Sequence, residues 1–247
     1  MNVRGTALDA RFLPAGDTAL VVEFGDVIDR ALSERVLALA QEIRSAAVVG
    51  VRATVPTFRS LVVHYDPLTT SGSELADRIR ALSSRAAHSA PRRRWWRLPA
   101  CYAAEYAPDL ATVAERTGLH AADVIERHAG TQFHVYMIGF VPGYPYMGDL
   151  PAELHLPRRA DPRTRVPAGS IAIASSLTAI YPVESPGGWH LIGATPVRLF
   201  DPTWERPSLL APSDAVQFEP IPSEEYQSIG AEIAAGRYTI KSREMET

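Results

Sequence analysis

Between Gly139 and Pro196 the chain carries three runs crowded with glycine and proline: GFVPGYPYMGDLP (139–151), PRRADPRTRVPAGSIAIA (157–174) and IYPVESPGGWHLIGATP (180–196). No long helix tolerates that spacing. Proline removes a backbone donor and fixes φ, while glycine opens positive φ and lets another group approach the backbone closely. Between the runs lie short β-rich pieces such as Ser170–Ala174 and Leu191–Gly193. The simplest fold meeting both demands is a β scaffold presenting long, shaped loops, the places where binding sites usually sit.

A chain of 247 residues, 46% hydrophobic and 21% charged, is long enough for one large or two small cores. Its net charge of −3 gives no attraction to nucleic acid or to an anionic membrane. Cys101 is the single cysteine, which excludes an intramolecular disulfide. Arg4, Asp9, Arg11 and Asp17 interrupt any signal-like apolar core, and no apolar run reaches the ~20 residues of a membrane span. A cytoplasmic protein is the expectation.

Periodicity divides the chain in two. Residues 1–86 read as a small β-α-β-β-α unit. Thr18–Phe24 is a strand, and Asp29 stands ready to cap a helix with Leu32, Val36, Leu39 and Ile43 on one face. Val48–Val55 and Arg59–Tyr65 form a hairpin, and a second helix carries Leu75, Ile79 and Leu82. Residues 87–96 read as a linker that includes the basic run Arg92–Arg94. From 97 to 247 the pattern is mainly β, in an α+β sequence of elements: a sheet opening at Trp95–Tyr102, short helices at Asp109–Thr117 and Ala121–Ala129, then strands at Phe133–Ile138, Ser170–Ala174, Thr178–Tyr181, His190–Ile192, Val197–Phe200 and Ala215–Glu219. A helix closes the chain at Ser223–Ala235. Regular turns between short strands favour a barrel or a sandwich.

The familiar chemical signatures are missing. There is no GxxxxGK[ST] loop, no nucleotide-binding GxGxxG, no HExxH and no Cys/His spacing suited to zinc, and the seven histidines are scattered. Four arginines, Arg158, Arg159, Arg163 and Arg165, fall within eight positions, restrained by Pro157, Pro162 and Pro167. Planar guanidinium forks suit carboxylate or phosphate, although a solvated loop paired with local acids explains them as well. The Gly187–Gly188 pair before Trp189 can offer backbone N–H groups beside an aromatic wall, or can simply make a tight turn. Phe140, Tyr144 and Tyr146 read either as a pocket edge or as packing anchors. His128 and Glu105 are candidates for proton transfer, with a hydrogen-bonded structural histidine as the competing reading. Cys101 reads as a small core residue.

These runs, with PRRxxPRxxVPAGS, TxIYPxxSPGGW and IGxTPxxLFDP in the same order, resemble the allophanate hydrolase subunit 1 family. That group includes the B subunits of ATP-dependent 5-oxoprolinases and KipI-type inhibitors of sensor histidine kinases. The resemblance is strong from Leu98 to Ile221. It implies a cyclophilin-like β-barrel after the α+β domain, a subunit-2-like partner carrying a related barrel, and ATP with magnesium used by the assembled complex. Fused versions of the two subunits form the carboxyltransferase region of urea carboxylase. On that model the loops at 139–148, 158–170 and 181–189 line a cleft closed by the partner, with Tyr144 and Tyr181 among its walls. The four arginines would hold a small anionic substrate, and Gly187 and Gly188 would help place it. The expected activity is opening of 5-oxoproline to glutamate, with no catalytic residue identifiable in this chain. Binding to a histidine kinase is the alternative, and allophanate hydrolysis ranks lower because the single lysine, Lys241, gives no Ser-Ser-Lys arrangement. Three departures from the family pattern stand out. Leu177 and Ala194 replace a common glutamine and arginine, which bears on substrate choice and activity and favours the kinase-binding alternative, and Ser213 replaces a common turn glycine.

Overall fold

The computed structural model describes residues 10–86 and 93–245. The chain divides between Arg92 and Arg93 into two compact units.

In the first unit, strands β1 (Arg11–Pro14), β2 (Ala19–Glu23), β3 (Val51–Pro56) and β4 (Ser60–Tyr65) form an antiparallel sheet in the order β1-β2-β4-β3. Helices α1 (Arg30–Ser45) and α2 (Gly72–Ala86) cover one face. Alternation places Leu61, Val63 and Tyr65 of β4 in the core beneath Leu39 and Ile43 of α1 and Leu75 and Ile79 of α2. Fully burying each such side chain is worth roughly 1.5–3 kcal/mol. The Asp29 carboxylate accepts the Leu32 N–H at 3.0 Å and starts α1 as expected. Strand β1 is an addition to the expected elements. Its four residues show no period, and Pro14 is tolerated because β1 lies at the sheet edge.

The second unit is a closed barrel. Its elements are β5 (Arg93–Cys101), α3 (Leu110–Thr117), α4 (Ala121–Gly130), β6 (Phe133–Ile138), β7 (Pro145–Gly148), β8 (Arg163–Val166), β9 (Ser170–Ala174), β10 (Leu177–Ile180), β11 (Ser185–Gly187), β12 (His190–Ala194), β13 (Ala215–Ile221), α5 (Ser223–Ala234) and β14 (Lys241–Met245). The barrel runs β12-β9-β10-β7-β6-β13-β5 and closes where Ala194 pairs with Cys101. Among the ladders only β13–β5 is parallel, and β14 adds to the first half of β5. Every residue of β9, β10 and β12 is buried, so these strands read as continuous apolar runs without alternation.

Several expected boundaries move. Residues 87–92 of the expected linker lie outside the described residues, but Arg93–Trp96 already belong to β5, paired with β13 and β14. Val197–Phe200 is not a strand. It has inward Val197 and Leu199, but its ladder reduces to one bridge between Phe200 and Ser208. Strands β7, β8, β11 and β14 are hidden in segments that read as loop, because proline, glycine and charge mask a three- to five-residue ladder. Among the described residues no helix is long and apolar enough to cross a membrane.

Candidate functional site

The glycine- and proline-rich runs converge on one rim of the barrel. Strands β8 and β11 pair as a two-stranded ribbon, with a register shift between Ser185 and Gly187. Beside it opens a cleft of about 310 Å³, lined by Phe140, Tyr144, Tyr146, Arg158, Arg159, Tyr181, Trp189 and the Gly187–Gly188 backbone. Its aromatic wall is largely edge-to-face: Tyr144 meets Tyr181 at 5.1 Å and Trp189 at 6.2 Å, and Tyr146 meets Trp189 at 6.0 Å. The buried Tyr181 phenol takes hydrogen bonds from Tyr144 and from the Trp189 backbone N–H. Glycine is obligatory at 187, where a Cβ would sit 2.2 Å from the Tyr181 hydroxyl. At Gly188 a Cβ would meet Pro162 at an ordinary 3.6 Å.

The four arginines part company. Arg163 makes a bidentate pair with Asp109, its Nη1 and Nη2 each 2.8 Å from a carboxylate oxygen. Arg159 reaches the same carboxylate at 2.9 Å, and the Leu191 N–H donates to it at 2.7 Å. Arg165 lies outside the cleft and pairs on the surface with Glu184 at 2.7 Å. Arg158 makes no ion pair and no hydrogen bond among the described residues; its guanidinium carbon lies 5.9 Å from the centre of the Trp189 ring. Of the residues expected in the site, Arg158, Arg159, Tyr144, Tyr181, Gly187 and Gly188 come together. Arg163 braces them from behind, and Arg165 does not take part.

Asp109 is the site residue that sequence reasoning missed. It stands at the head of α3, where an aspartate ordinarily caps the first turn, yet its side chain makes no cap bond. Only the fold brings Arg159, Arg163 and Leu191 to it, from fifty to eighty-two residues away. Burial pushes its carboxyl up, but the Arg163 hydrogen bonds, the Leu191 N–H and the two guanidinium charges outweigh that and hold it below the usual aspartate value.

Other candidate groups sit elsewhere. His128 is fully buried in the barrel core, stacked on Phe218 with ring centroids 4.8 Å apart. Its Nε2 lies 3.0 Å from Thr178 Oγ1, which donates its own proton to the Ala172 carbonyl; Nε2 therefore carries the hydrogen, and Nδ1 accepts from Tyr102 at 2.8 Å. Burial lowers its pKa to about 3, so it is a neutral structural histidine. Glu105 accepts from Ser223 at 2.6 Å, and buried Cys101 lies 3.7 Å from that same hydroxyl. Lys241 is engaged by Glu219. Leu177 and Ala194 are buried in the barrel wall, at 8% and 6% exposure, and neither lines the cleft. Among the described residues no three His, Cys, Asp or Glu side chains gather as a metal site. The cleft's ionisable lining is arginine and tyrosine alone, and desolvation raises Tyr144, Tyr146 and Tyr181. Such a lining can bind and orient an anion but offers no base near neutral pH.

The fold defines the class first. The urea amidolyase of K. lactis superposes with a TM-score of 0.80 at 21% identity, over 96% of this chain and 16% of that one, so the two share this fold. The chain belongs to the family described as the carboxyltransferase domain, subdomain C and D, whose model matches residues 10–210. It is 37% identical over 211 residues to the 5-oxoprolinase B subunit of Escherichia coli O157:H7, covering 85% of this chain and 96% of that protein. The crystal structure of TTHA0988 matches with a TM-score of 0.74 at 35% identity, over 82% of this chain; this chain spans 40% of that protein.

Proposed function

We propose that this chain is the B-type subunit of a 5-oxoprolinase-like hydrolase, located in the cytoplasm, which opens 5-oxoproline to glutamate with ATP once a subunit-2-like partner completes the site. The observation that carries the reading is the cleft, where a guanidinium without an ion pair faces an aromatic wall in a space suited to a small ring acid. The near-complete overlap with the 5-oxoprolinase relative supports the substrate. In this reading Arg158 holds the substrate carboxylate while Tyr144, Tyr146 and Trp189 pack the ring and exclude water. ATP and magnesium are, in this reading, held by the assembled complex, the partner contributing to their site. The partner in this reading supplies the base as well, since the ionisable lining of the cleft is arginine and tyrosine. The histidine-kinase reading loses its main support, because Leu177 and Ala194 leave the cleft lining untouched.

The test is to co-express the chain with its subunit-2-like partner and to measure ATP hydrolysis with and without 5-oxoproline. Stimulation that requires both proteins is expected. A stable complex whose ATP hydrolysis ignores 5-oxoproline would sink the substrate assignment, and failure of the two proteins to associate would sink the two-subunit reading.

A further inference from the structure

Four arginines within eight residues look like a site for a multiply charged anion. The geometry points to the opposite: we propose that Asp109 is a positioning residue which engages Arg159 and Arg163, leaving Arg158 as the one receptive guanidinium, so that the cleft selects monocarboxylates over phosphates. The identity of the acid as 5-oxoproline rests on the function proposed above; the one-arginine assignment does not.

Three features carry this. Asp109 is 5% exposed in its side chain and receives hydrogen bonds from Arg159 and from both Nη atoms of Arg163, all at 2.8–2.9 Å. A carboxylate so occupied lowers the net charge of that trio to +1 and commits donors of both guanidiniums to itself. The segment bearing Arg158 is pinned on both sides. The His190 ring donates from Nε2 to the Pro157 carbonyl at 3.0 Å, and the Arg159 N–H donates to the Gly188 carbonyl at 2.8 Å. Arg158 alone therefore combines a fixed backbone with an uncommitted head. That head sits against the buried Trp189 ring, which also forms the wall for an apolar ligand body. A phosphate dianion would need two or three convergent donors, and the fold has already committed those to Asp109. One planar fork matches one carboxylate.

The experiment measures binding by titration calorimetry to the full chain, alone and with its co-expressed partner. The probes are 5-oxoproline, cyclopentanecarboxylate, which keeps the ring and carboxylate but lacks the lactam, and inorganic phosphate. Both carboxylates are expected to bind more tightly than phosphate. Arg158→Gln, an exposed change that leaves the fold intact by circular dichroism, should weaken both at least tenfold. Arg165→Gln, in the same loop but outside the cleft, should leave carboxylate affinity within threefold. Asp109→Asn frees two guanidiniums and should invert the preference, raising phosphate affinity about tenfold while carboxylate affinity falls; Asp109→Glu should restore the original order. An ordinary packing defect would weaken all probes alike and produce no inversion.

Phosphate binding more tightly than either carboxylate in the unmodified chain would overturn the proposal. So would equal losses in Arg165→Gln and Arg158→Gln, or no carboxylate binding with or without the partner. The two readings fail separately. Arg158-dependent binding of cyclopentanecarboxylate without 5-oxoproline-stimulated ATP hydrolysis keeps this inference and removes the proposed substrate. Stimulated hydrolysis whose KM for 5-oxoproline is unchanged by Arg158→Gln does the reverse.

Discussion

The two units treat polar groups in opposite ways. In the first, Ser33 and Thr70 are the buried polar residues among those described, and the ion pairs, such as Arg52–Asp66, lie at the surface. That unit is held by an apolar core, and its exposed pairs add little. The barrel buries Asp109, His128, His190 and Asp214, each tied to groups distant in sequence. A sheet under two helices needs only an apolar face to define it. Long glycine- and proline-rich loops have no ladder of their own, so the barrel holds them with buried acceptors and donors. Where the chain carries a site, stability has been made to depend on polar geometry.

Acid should separate the units most sharply. The His128 pKa is lowered from 6.5 to about 3, so the unfolded chain takes up a proton that the fold refuses. Stability is therefore full above about pH 6.5 and is lost as pH falls toward 3, at about 1.4 kcal/mol per pH unit and up to roughly 5 kcal/mol in total. Asp109, lowered as a carboxylate, adds its loss only below the ordinary aspartate value of 3.8. Between pH 6 and 4 the histidine is the largest contributor, opposed by Asp214, whose carboxyl is raised by burial and which therefore favours the fold as pH falls. All four tryptophans, Trp95, Trp96, Trp189 and Trp204, lie in the barrel unit, so urea unfolding followed by tryptophan fluorescence reports that unit alone. The expected midpoint falls from pH 6 to pH 4, and most of that fall is removed in His128→Gln. A slope that survives the substitution would dismiss His128 as its source.

A smaller effect tests the rim. Gly187→Ala drives a methyl into the fixed hydroxyl of Tyr181 and should destabilise the barrel by about 1–3 kcal/mol while weakening ligand binding. Gly188→Ala, with its 3.6 Å neighbour, should leave the same unfolding curve within error. Equal effects at both positions would mean that the loop shifts freely and that the cleft is not held by the Tyr181 contact.

What could be read in the sequence follows the same division. The first unit announces itself, because Leu61, Val63 and Tyr65 alternate and Leu39 and Ile43 recur at helical spacing. In the barrel the motif runs mark the site's neighbourhood and several of its residues, Arg158, Tyr144 and Gly187 among them. They do not reveal which arginines are free. That depends on Asp109, whose position before a helix suggests only a helix start, and whose partners come together through barrel closure. Periodicity also misses the β8–β11 ribbon, since three and four residues with proline and glycine carry no measurable period. Long-range polar pairing leaves no local pattern, and this site is built from it.

The smallest expected effect compares strained turns in the two units. Ser213 adopts φ +78° in the turn before β13, is 1% exposed, and its buried Oγ has no hydrogen-bond partner among the described residues. Ala47, after α1, adopts φ +45° but is exposed and has no polar side chain to satisfy. Left-handed geometry penalises both by about 1 kcal/mol, and glycine's greater freedom when unfolded offsets roughly 0.5–1 of that. Ala47→Gly should therefore change stability by only a few tenths of a kcal/mol. Ser213→Gly removes in addition an unsatisfied hydroxyl, a further term of about 1 kcal/mol, and should stabilise the barrel by about that amount. The difference between the two isolates the buried hydroxyl, because the backbone terms are shared. If both variants gained equally, the strain at Ser213 would be conformational alone, and the polar interior of the barrel would be better satisfied than its geometry indicates.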